Sequence, residues 1–428
     1  MPHPVKQPPE PQPPAPGVPP PRQGPRPLAL HLATALATWT SSRGALPHLM
    51  RGSLSLRPAL EPQAAALRAS LDGVDPAVLD QALEREIRRR AERYLSGIER
   101  YRRHPYRRSL AEAPAVWREG AIALRDYGAT APRASGGPVV LFVPSLVNRG
   151  YILDLAEGNS FLRWLAAEGF RPLLVDWGRP GEAERGYALS DYIAGPLERC
   201  LDVAVARAGG PVGLVGYCMG GTLALGLMSR RAADVSALAL LATPWDFHAD
   251  RPEFARALAA GCAPLLRLAD CLGELPTDLL QALFALLDPH LATRKFLRFA
   301  ASEPGSAQER AFVALEDWLN DGVPLVARVA RECIEGWYGE NTPGRGAWRV
   351  AGRAVDPREI AQPTLVFLPA EDRIVPPPSA EAVLRLIPRA ERLQPRVGHI
   401  GMMVSGIAEG TVWRPLAAWL ARNTAAAA

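Results

Sequence analysis

Cysteine is scarce in this sequence, and its distribution excludes two common architectures. The 428 residues contain five cysteines, Cys200, Cys218, Cys262, Cys271 and Cys333, with no C-x-x-C pair and no histidine at zinc-ligand spacing. An odd and scattered set of this kind predicts neither a disulfide framework nor a metal site. Thiols that stay reduced are typical of the cytoplasm, so we expect a cytoplasmic protein.

Long apolar runs and strong charge are also missing. The chain has no charged segment leading into an apolar core at its start, and its longest apolar stretch there, Leu28 to Trp39, is too short to cross a bilayer. We therefore expect neither secretion nor a membrane span. A net charge of +5 is mild for this length and gives no reason to expect a nucleic-acid partner. The arginine-rich stretch 85–125 suits a basic face for anionic coenzyme phosphates or, more simply, a solvated helix surface.

Proline, by contrast, is concentrated at the start of the chain. Residues 1–27 contain so much of it that a disordered tail is predicted. Residues 28–130 are predicted to form a helical N-terminal region. Within it, Asp75 followed by Pro76 is a helix start signal, and an amphipathic pattern continues from there to residue 103.

From residue 131 onward, short aliphatic runs alternate with amphipathic helical stretches. The runs PVVLFVP, RPLLVDW, PVGLVGY, ALALLAT and PTLVFLP are apolar on both faces, which is typical of a mostly parallel sheet with helices on both sides. They place an α/β core at residues 131–247 and 361–428. The intervening stretch 248–360 has helical patterns and is too long for a simple crossover, so we expect a helical cap inserted over one end of the sheet.

The motif GYCMGG at residues 216–221 lies between a predicted strand and a predicted helix. Glycines on either side of Cys218 suit a nucleophile elbow, in which a sharp turn raises a reactive side chain above the sheet. The amide of Met219 would then lie at a helix N-terminus and serve as an oxyanion donor, with the amides of Leu146 and Val147 as candidates for a second donor. The simpler alternative is that Cys218 is a small buried apolar residue.

Two later positions favour the catalytic interpretation. Asp372 lies in a turn after the strand PTLVF, and His399 lies in a loop after the next extended run. Nucleophile, acid and histidine in this chain order, each beyond the end of a strand, indicate a catalytic triad on an α/β-hydrolase fold. Asp246 and His248 are the alternative acid and the alternative histidine.

With these motifs, residues 135–422 resemble the polyhydroxyalkanoate synthases, the cysteine-dependent branch of the α/β-hydrolase fold. The motifs that carry the resemblance are VPSLVNRGYILDLAEGNSFLRWLAAEGFRPLLVDWGRP, GYCMGG and GHIGMM. Two positions depart from the family pattern, because Arg373 stands where a histidine often follows the triad aspartate and Pro377 stands where larger members have tryptophan.

The resemblance implies an acyltransferase that polymerises (R)-3-hydroxyacyl-CoA through a thioester on Cys218, with His399 as base and Asp372 as the third member. It implies no metal and no bound cofactor. The implied partners are the acyl-CoA substrate, the polyester product, a granule surface, and either a second copy of the chain or a second synthase subunit. Two alternatives stay open: a hydrolase with the same triad, such as an intracellular polyester depolymerase or a thioesterase, and a granule-binding scaffold without activity.

Overall fold

The structure, a computed structural model, describes residues 22–134 and 136–424. Most of the tail expected to be disordered, residues 1–21, lies outside these described residues. For residues 22–27 the expectation is wrong. The Arg22 side chain is only 7% exposed and forms an ion pair with Asp317 at 2.6 Å. A buried, paired guanidinium fixes the chain around it, which composition alone does not reveal.

Three helices form the N-terminal region: α1 (Leu28–Met50), α2 (Glu61–Ser70) and α3 (Pro76–Arg103). The start of α3 is as predicted, because the Asp75 carboxylate accepts a hydrogen bond from the Ala77 amide at 2.8 Å and Pro76 occupies the first helical position. Aromatic side chains of α3 pack against the cap in one apolar cluster, which includes Tyr94, Tyr101, Phe296 and Phe299.

The expectation of a helical region that extends to residue 130 is wrong, because strands begin at Ala115. Strands β1 (Ala115–Glu119) and β2 (Ile122–Asp126) pair as an antiparallel hairpin. Gly120, with φ of 56°, lies in the short turn that joins them, where a positive φ favours glycine. Because β2 also pairs with the central sheet, the α/β core begins at this hairpin rather than at residue 131.

The remaining strands of the described residues are β3 (Val139–Val143), β4 (Arg171–Asp176), β5 (Val212–Tyr217), β6 (Val235–Leu241), β7 (Glu274–Leu275), β8 (Leu325–Val326), β9 (Arg349–Val350), β10 (Arg353–Ala354), β11 (Thr364–Phe367) and β12 (Ala390–Leu393). Eight of the strands form the central sheet, in the order β1-β2-β4-β3-β5-β6-β11-β12. Within this sheet, β1 and β2 are antiparallel to their neighbours, and all the other pairings are parallel.

Apolar side chains leave the central strands on both faces, as the sequence predicts. Along β3, Leu141 and its alternate neighbours join one buried cluster, while Val140 and Phe142 join the cluster on the other face. The α/β fold class is therefore confirmed. The helices that cover the sheet are α4 (Phe161–Ala167), α5 (Leu189–Tyr192), α6 (Glu198–Ala208), α7 (Met219–Arg231), α14 (Pro377–Leu386), α15 (Gly401–Val404) and α16 (Arg414–Asn423).

Between β6 and β11 the chain is mainly helical. It contains the two short ribbons β7–β8 and β9–β10 and a π-helical segment at Glu332–Gly339. Its α-helices are α8 (Pro252–Gly261), α9 (Ala263–Leu272), α10 (Thr277–Ala285), α11 (Leu291–Ala300), α12 (Ala307–Asn320) and α13 (Ala327–Arg331). No described helix is long and apolar enough to span a membrane.

Candidate active site

Cys218 occupies the turn between β5 and α7 in a backbone conformation that few side chains adopt. Its φ is 56° and its ψ is −130°, a strained region for a residue other than glycine. The turn is closed by a hydrogen bond from the Cys218 amide to the Leu241 carbonyl at 2.8 Å and by one from the Gly221 amide to the Cys218 carbonyl at 2.9 Å. Cys218 lines a cavity and also packs against the apolar clusters on both faces of the sheet.

Close backbone contacts require the glycines around Cys218. A Cβ atom would lie 2.3 Å from Gly221 Cα if added at Gly216, 2.0 Å from the Val143 carbonyl oxygen if added at Gly220, and 1.8 Å from Thr243 Oγ1 if added at Gly221. No side chain fits at such distances without displacing its neighbour. The motif is therefore needed to let strand and helix approach each other at the elbow.

His399 and Asp372 form a buried pair beside the elbow. The Nδ1 atom of His399 lies 2.7 Å from Oδ2 of Asp372. The other carboxylate oxygen, Oδ1, accepts hydrogen bonds from the amides of Ile374 at 2.8 Å and Val375 at 2.9 Å. Since an ionised carboxylate only accepts, the proton between the pair belongs to Nδ1. The Asp372 carboxylate is thus fixed by two amides and in turn fixes the imidazole.

The pKa of His399 reports its contact with Cys218. Burial is the largest influence and lowers this pKa, but charge on Cys218 and hydrogen bonds with Asp372 and Cys218 outweigh it and raise the pKa to about 10. His399 therefore lies between the Asp372 carboxylate and the Cys218 sulfur, and negative charge on these two groups favours its protonated form.

The sheet topology explains why three residues so far apart in the chain meet. The strands β5, β6, β11 and β12 are neighbours and run parallel, so their carboxyl ends lie along one edge of the sheet. Cys218 follows β5, Asp372 follows β11 and His399 follows β12. The structure brings these three predicted residues together at that edge.

Tyr217 belongs to the same cluster, although the sequence predicts it only as part of a strand. Its hydroxyl donates to the His399 carbonyl oxygen at 3.2 Å, and the two rings stack with centroids 5.3 Å apart. Burial raises the pKa of this hydroxyl well above its ordinary value, so it stays a neutral donor. Its position directly before the nucleophile, at the end of a buried strand, was the available signal.

The three predicted oxyanion donors differ in whether their amide N–H groups are already hydrogen-bonded within the protein. Among the described residues, the amides of Met219 and Leu146 have no hydrogen-bond acceptor. The amide of Val147 donates to Ser145 Oγ at 3.1 Å instead. Met219 and Leu146 therefore fit the requirement for free donors better than Val147 does.

The alternative acid and histidine lie elsewhere. Oδ1 of Asp246 accepts hydrogen bonds from the His248 amide at 2.9 Å and from Asn341 Nδ2 at 2.8 Å. The ring of His248 is 2.8 Å from the Tyr338 carbonyl oxygen through Nε2. Neither residue lines the cavity that contains Cys218. The geometry thus favours Asp372 and His399.

The cavity at Cys218 has a volume of about 780 Å³, in the range of small-molecule sites. Cap residues such as Phe284, Leu287 and Leu291 give it an apolar wall. Its polar side contains a buried ion pair, Lys295 Nζ to Glu316 Oε1 at 2.6 Å. Burial raises the pKa of Glu316 above its ordinary value. A substrate with a mainly apolar body and a few polar groups suits such a lining.

Comparison with known proteins agrees with this geometry. The family model of the alpha/beta hydrolase fold matches residues 138–405. A poly(3-hydroxyalkanoate) polymerase subunit PhaC from Allochromatium vinosum is 31% identical over 72% of this chain and 87% of its own length. A protein of the same name from Synechocystis sp. is 28% identical, over 78% and 91% of the two lengths.

The PhaC subunit from Haloferax mediterranei is 28% identical over 74% of this chain, which spans only 65% of the relative's length. Similarity of this extent, together with the elbow cysteine and its histidine partner, identifies the relationship. The chain belongs to the PhaC family of poly(3-hydroxyalkanoate) polymerase subunits, within the α/β-hydrolase fold.

Proposed function

We propose that this protein polymerises (R)-3-hydroxyacyl groups from their CoA thioesters, with Cys218, His399 and Asp372 as its triad. The observation that carries the proposal is that the strained elbow cysteine and the buried His399–Asp372 pair lie together at the wall of a cavity large enough for an acyl thioester. A binding scaffold without activity does not require this arrangement, whereas a nucleophilic cysteine requires a histidine that activates it.

In the first step, the sulfur of Cys218 attacks the carbonyl carbon of the CoA thioester. The amides of Met219 and Leu146 stabilise the oxyanion of the tetrahedral intermediate. When the bond to the CoA sulfur breaks, the His399 imidazolium gives its proton to the leaving thiolate. The products are free CoA and an acyl group bound to Cys218 as a thioester, so the acyl group keeps its transfer potential.

In the second step, neutral His399 takes the proton from the 3-hydroxyl group of an incoming acyl unit. The hydroxyl oxygen attacks the Cys218 thioester, the carbon–sulfur bond breaks, and an ester forms while Cys218 and His399 return to the thiolate–imidazolium pair. Asp372 keeps the proton on Nδ1, so that Nε2 is the atom that accepts and donates.

Purified protein incubated with 3-hydroxybutyryl-CoA tests the proposal. We expect free thiol and turbidity to increase together, and both to be lost in Cys218→Ala. Thiol release without polymer, with soluble hydroxyacid as the product, would instead assign the chain as a thioesterase. Soluble hydroxyacid released from amorphous polyester, without CoA-ester consumption, would identify a depolymerase.

The product also suggests where the protein resides and what it binds. We propose that it associates with polyester granules and acts as a homodimer or with a second synthase subunit. Large apolar side chains on the N-terminal helices and the cap, including Leu36, Val78 and Leu286, are about half exposed, and such surface is suited to a hydrophobic partner. Co-sedimentation with granules and light scattering of the purified chain, with and without substrate, measure the two properties.

A further inference from the structure

The segment that precedes α1 is clamped between the N-terminal region and the cap. We call residues 22–26 the N-terminal strap. Nε of Arg22 bonds Oδ1 of Asp317 at 2.6 Å, and its other guanidinium nitrogens donate to the carbonyls of His104 and Tyr106. The same Asp317 oxygen accepts a hydrogen bond from the Tyr101 hydroxyl at 2.9 Å. A nearly buried arginine with all these acceptors fixes its surroundings far more firmly than a surface ion pair does.

The strap continues into the wall of the catalytic cavity, where Pro25 and Arg26 are lining residues. The amide of Arg26 donates to Asn320 Oδ1 at 3.1 Å, and its guanidinium donates to the Asn320 carbonyl at 3.3 Å and to Asp278 at 2.7 Å. Both ends of the strap thus bind the last turn of α12, at Asp317 and Asn320.

The same turn of α12 holds the loop that supplies the second oxyanion donor. Trp318 Nε1 donates to the carbonyl oxygen of Arg149 at 2.7 Å, and Asp321 pairs with the Arg149 guanidinium at 3.4 Å. Trp318 is buried, at 4% exposure. Because Arg149 ends the short loop that contains Leu146 and Val147, the position of Trp318 sets where this loop lies.

Four side chains at the C-terminal end of α12, including its C-cap residue Asp321, therefore contact two different partners. Asp317 and Asn320 bind the strap, whereas Trp318 and Asp321 bind the oxyanion loop, as the spacing of side chains around a helix allows. A displacement of this turn moves the loop and the cavity wall together. Donor position matters strongly in such a site, since a misplacement of about 1 Å can lower a rate about 100-fold.

We propose that the N-terminal strap positions the oxyanion loop through the last turn of α12, with Arg22, Arg26 and Trp318 as positioning residues for acyl transfer to Cys218. The inference rests on the proposed acyl-transfer function. It extends the catalytic unit to a segment outside residues 138–405, where the family model matches.

Two reactions of Cys218 separate positioning from general damage. Acylation by S-phenyl thioacetate passes through an oxyanion and needs the loop, whereas alkylation by iodoacetamide is a direct displacement that needs only the activated sulfur. In Trp318→Phe, we expect the acylation rate to fall about tenfold and the alkylation rate to stay within about twofold. Trp413→Phe is the matched control, because Trp413 is also buried but its Nε1 has no hydrogen-bond partner in the described residues.

The strap is tested by Arg26→Ala and Arg22→Ala, with the exposed α3 residue Arg93→Ala as control. Replacement of Arg26 is expected to disturb folding less than replacement of Arg22, since the Arg26 side chain is 25% exposed whereas that of Arg22 is 7% exposed. We expect both strap variants to lose acylation rate selectively, as Trp318→Phe does. Wild-type acylation rates in both strap variants overturn the proposal, whatever the rate of Trp318→Phe, and so does an equal loss of acylation and alkylation, which indicates a merely structural role.

This test does not depend on polymer formation. If wild-type protein is acylated by S-phenyl thioacetate but makes no polyester, the polymerase assignment fails while the strap proposal stands or falls on its own variants. If the wild type is alkylated but not acylated, acyl transfer itself is excluded and both proposals fail.

Discussion

Replacement of Asp372 by asparagine changes one atom at the centre of the proposed triad, and the structure defines the consequence. In the wild type, Oδ1 accepts two backbone hydrogen bonds, from Ile374 and Val375, and Oδ2 accepts the proton of His399 Nδ1. In Asp372→Asn, the amide oxygen has to keep the Oδ1 position, because an NH₂ group there would oppose two N–H donors. The NH₂ group therefore faces His399 Nδ1.

When His399 is neutral, two donors that face each other force its imidazole to change tautomer. Nδ1 becomes the acceptor and Nε2 takes the proton, so Nε2 can no longer accept one during catalysis. In serine triads this change lowers kcat about 10⁴-fold. A thiol ionises more easily than a hydroxyl and depends less on its base, so we expect a loss of about 10²–10³-fold here. That loss corresponds to about 3–4 kcal/mol of transition-state stabilisation at about 1.4 kcal/mol per factor of ten.

The assay is the initial rate of CoA release from 3-hydroxybutyryl-CoA, with iodoacetamide alkylation of Cys218 as a second readout that should also slow. Asp246→Asn is the matched control, since an asparagine oxygen there retains both hydrogen bonds, from the His248 amide and Asn341. We expect this control to keep its rate within about threefold. The tautomer argument is refuted if Asp372→Asn keeps more than a third of the wild-type activity. It is also refuted if Asp246→Asn loses as much activity as Asp372→Asn.

Two further predictions concern the elbow and the electrostatics of the pair. Gly221→Ala should lower the free energy of unfolding by about 2 kcal/mol or more, because its Cβ would lie 1.8 Å from Thr243 Oγ1. The control Gly261→Ala, whose Cβ would have no atom within 4 Å, should change the free energy of unfolding by about 0.5 kcal/mol or less. Urea unfolding compares the two variants, and equal midpoints contradict the steric argument. Cys218→Ala should lower the pKa of His399 from about 10, because charge on Cys218 is the largest influence that raises it and burial, which lowers it, stays. Imidazole chemical shifts followed from pH 6 to 11 measure this change, and an unaltered midpoint contradicts the proposed contact with the sulfur.

Much of the site was predictable because its signals are local. The elbow requires glycines within a few residues of Cys218, and the strands before Cys218 and Asp372 are short aliphatic runs, whereas the strand before His399 is polar. Chain order then places Asp372 and His399 at the same sheet edge as Cys218, because parallel strands share a direction. These relations need no knowledge of tertiary contacts.

The features that sequence reasoning missed depend on contacts between distant segments. The strap is ordered by Arg22 and Asp317, which are 295 residues apart in the chain, so its proline-rich composition alone suggested disorder. The sequence places the hairpin at 115–126 in the helical region that it borders, and only its pairing with β4 shows that it belongs to the sheet. Val147 was a reasonable oxyanion candidate by position, but the Ser145 hydroxyl occupies its amide.

The N-terminal region and the catalytic cavity share α11 as a common wall. On one side of this helix, the backbone of Phe296 approaches Gly97 of α3 so closely that an added Cβ would lie 2.4 Å from the Phe296 carbonyl oxygen. The neighbouring residue Lys295 lines the cavity and pairs with buried Glu316. A larger residue at position 97 cannot be accommodated without moving α11, and a densely packed interior transmits such a movement to the cavity wall. The cavity at Cys218 is therefore bounded by a helix whose own position depends on α3, which lies outside residues 138–405, where the family model matches.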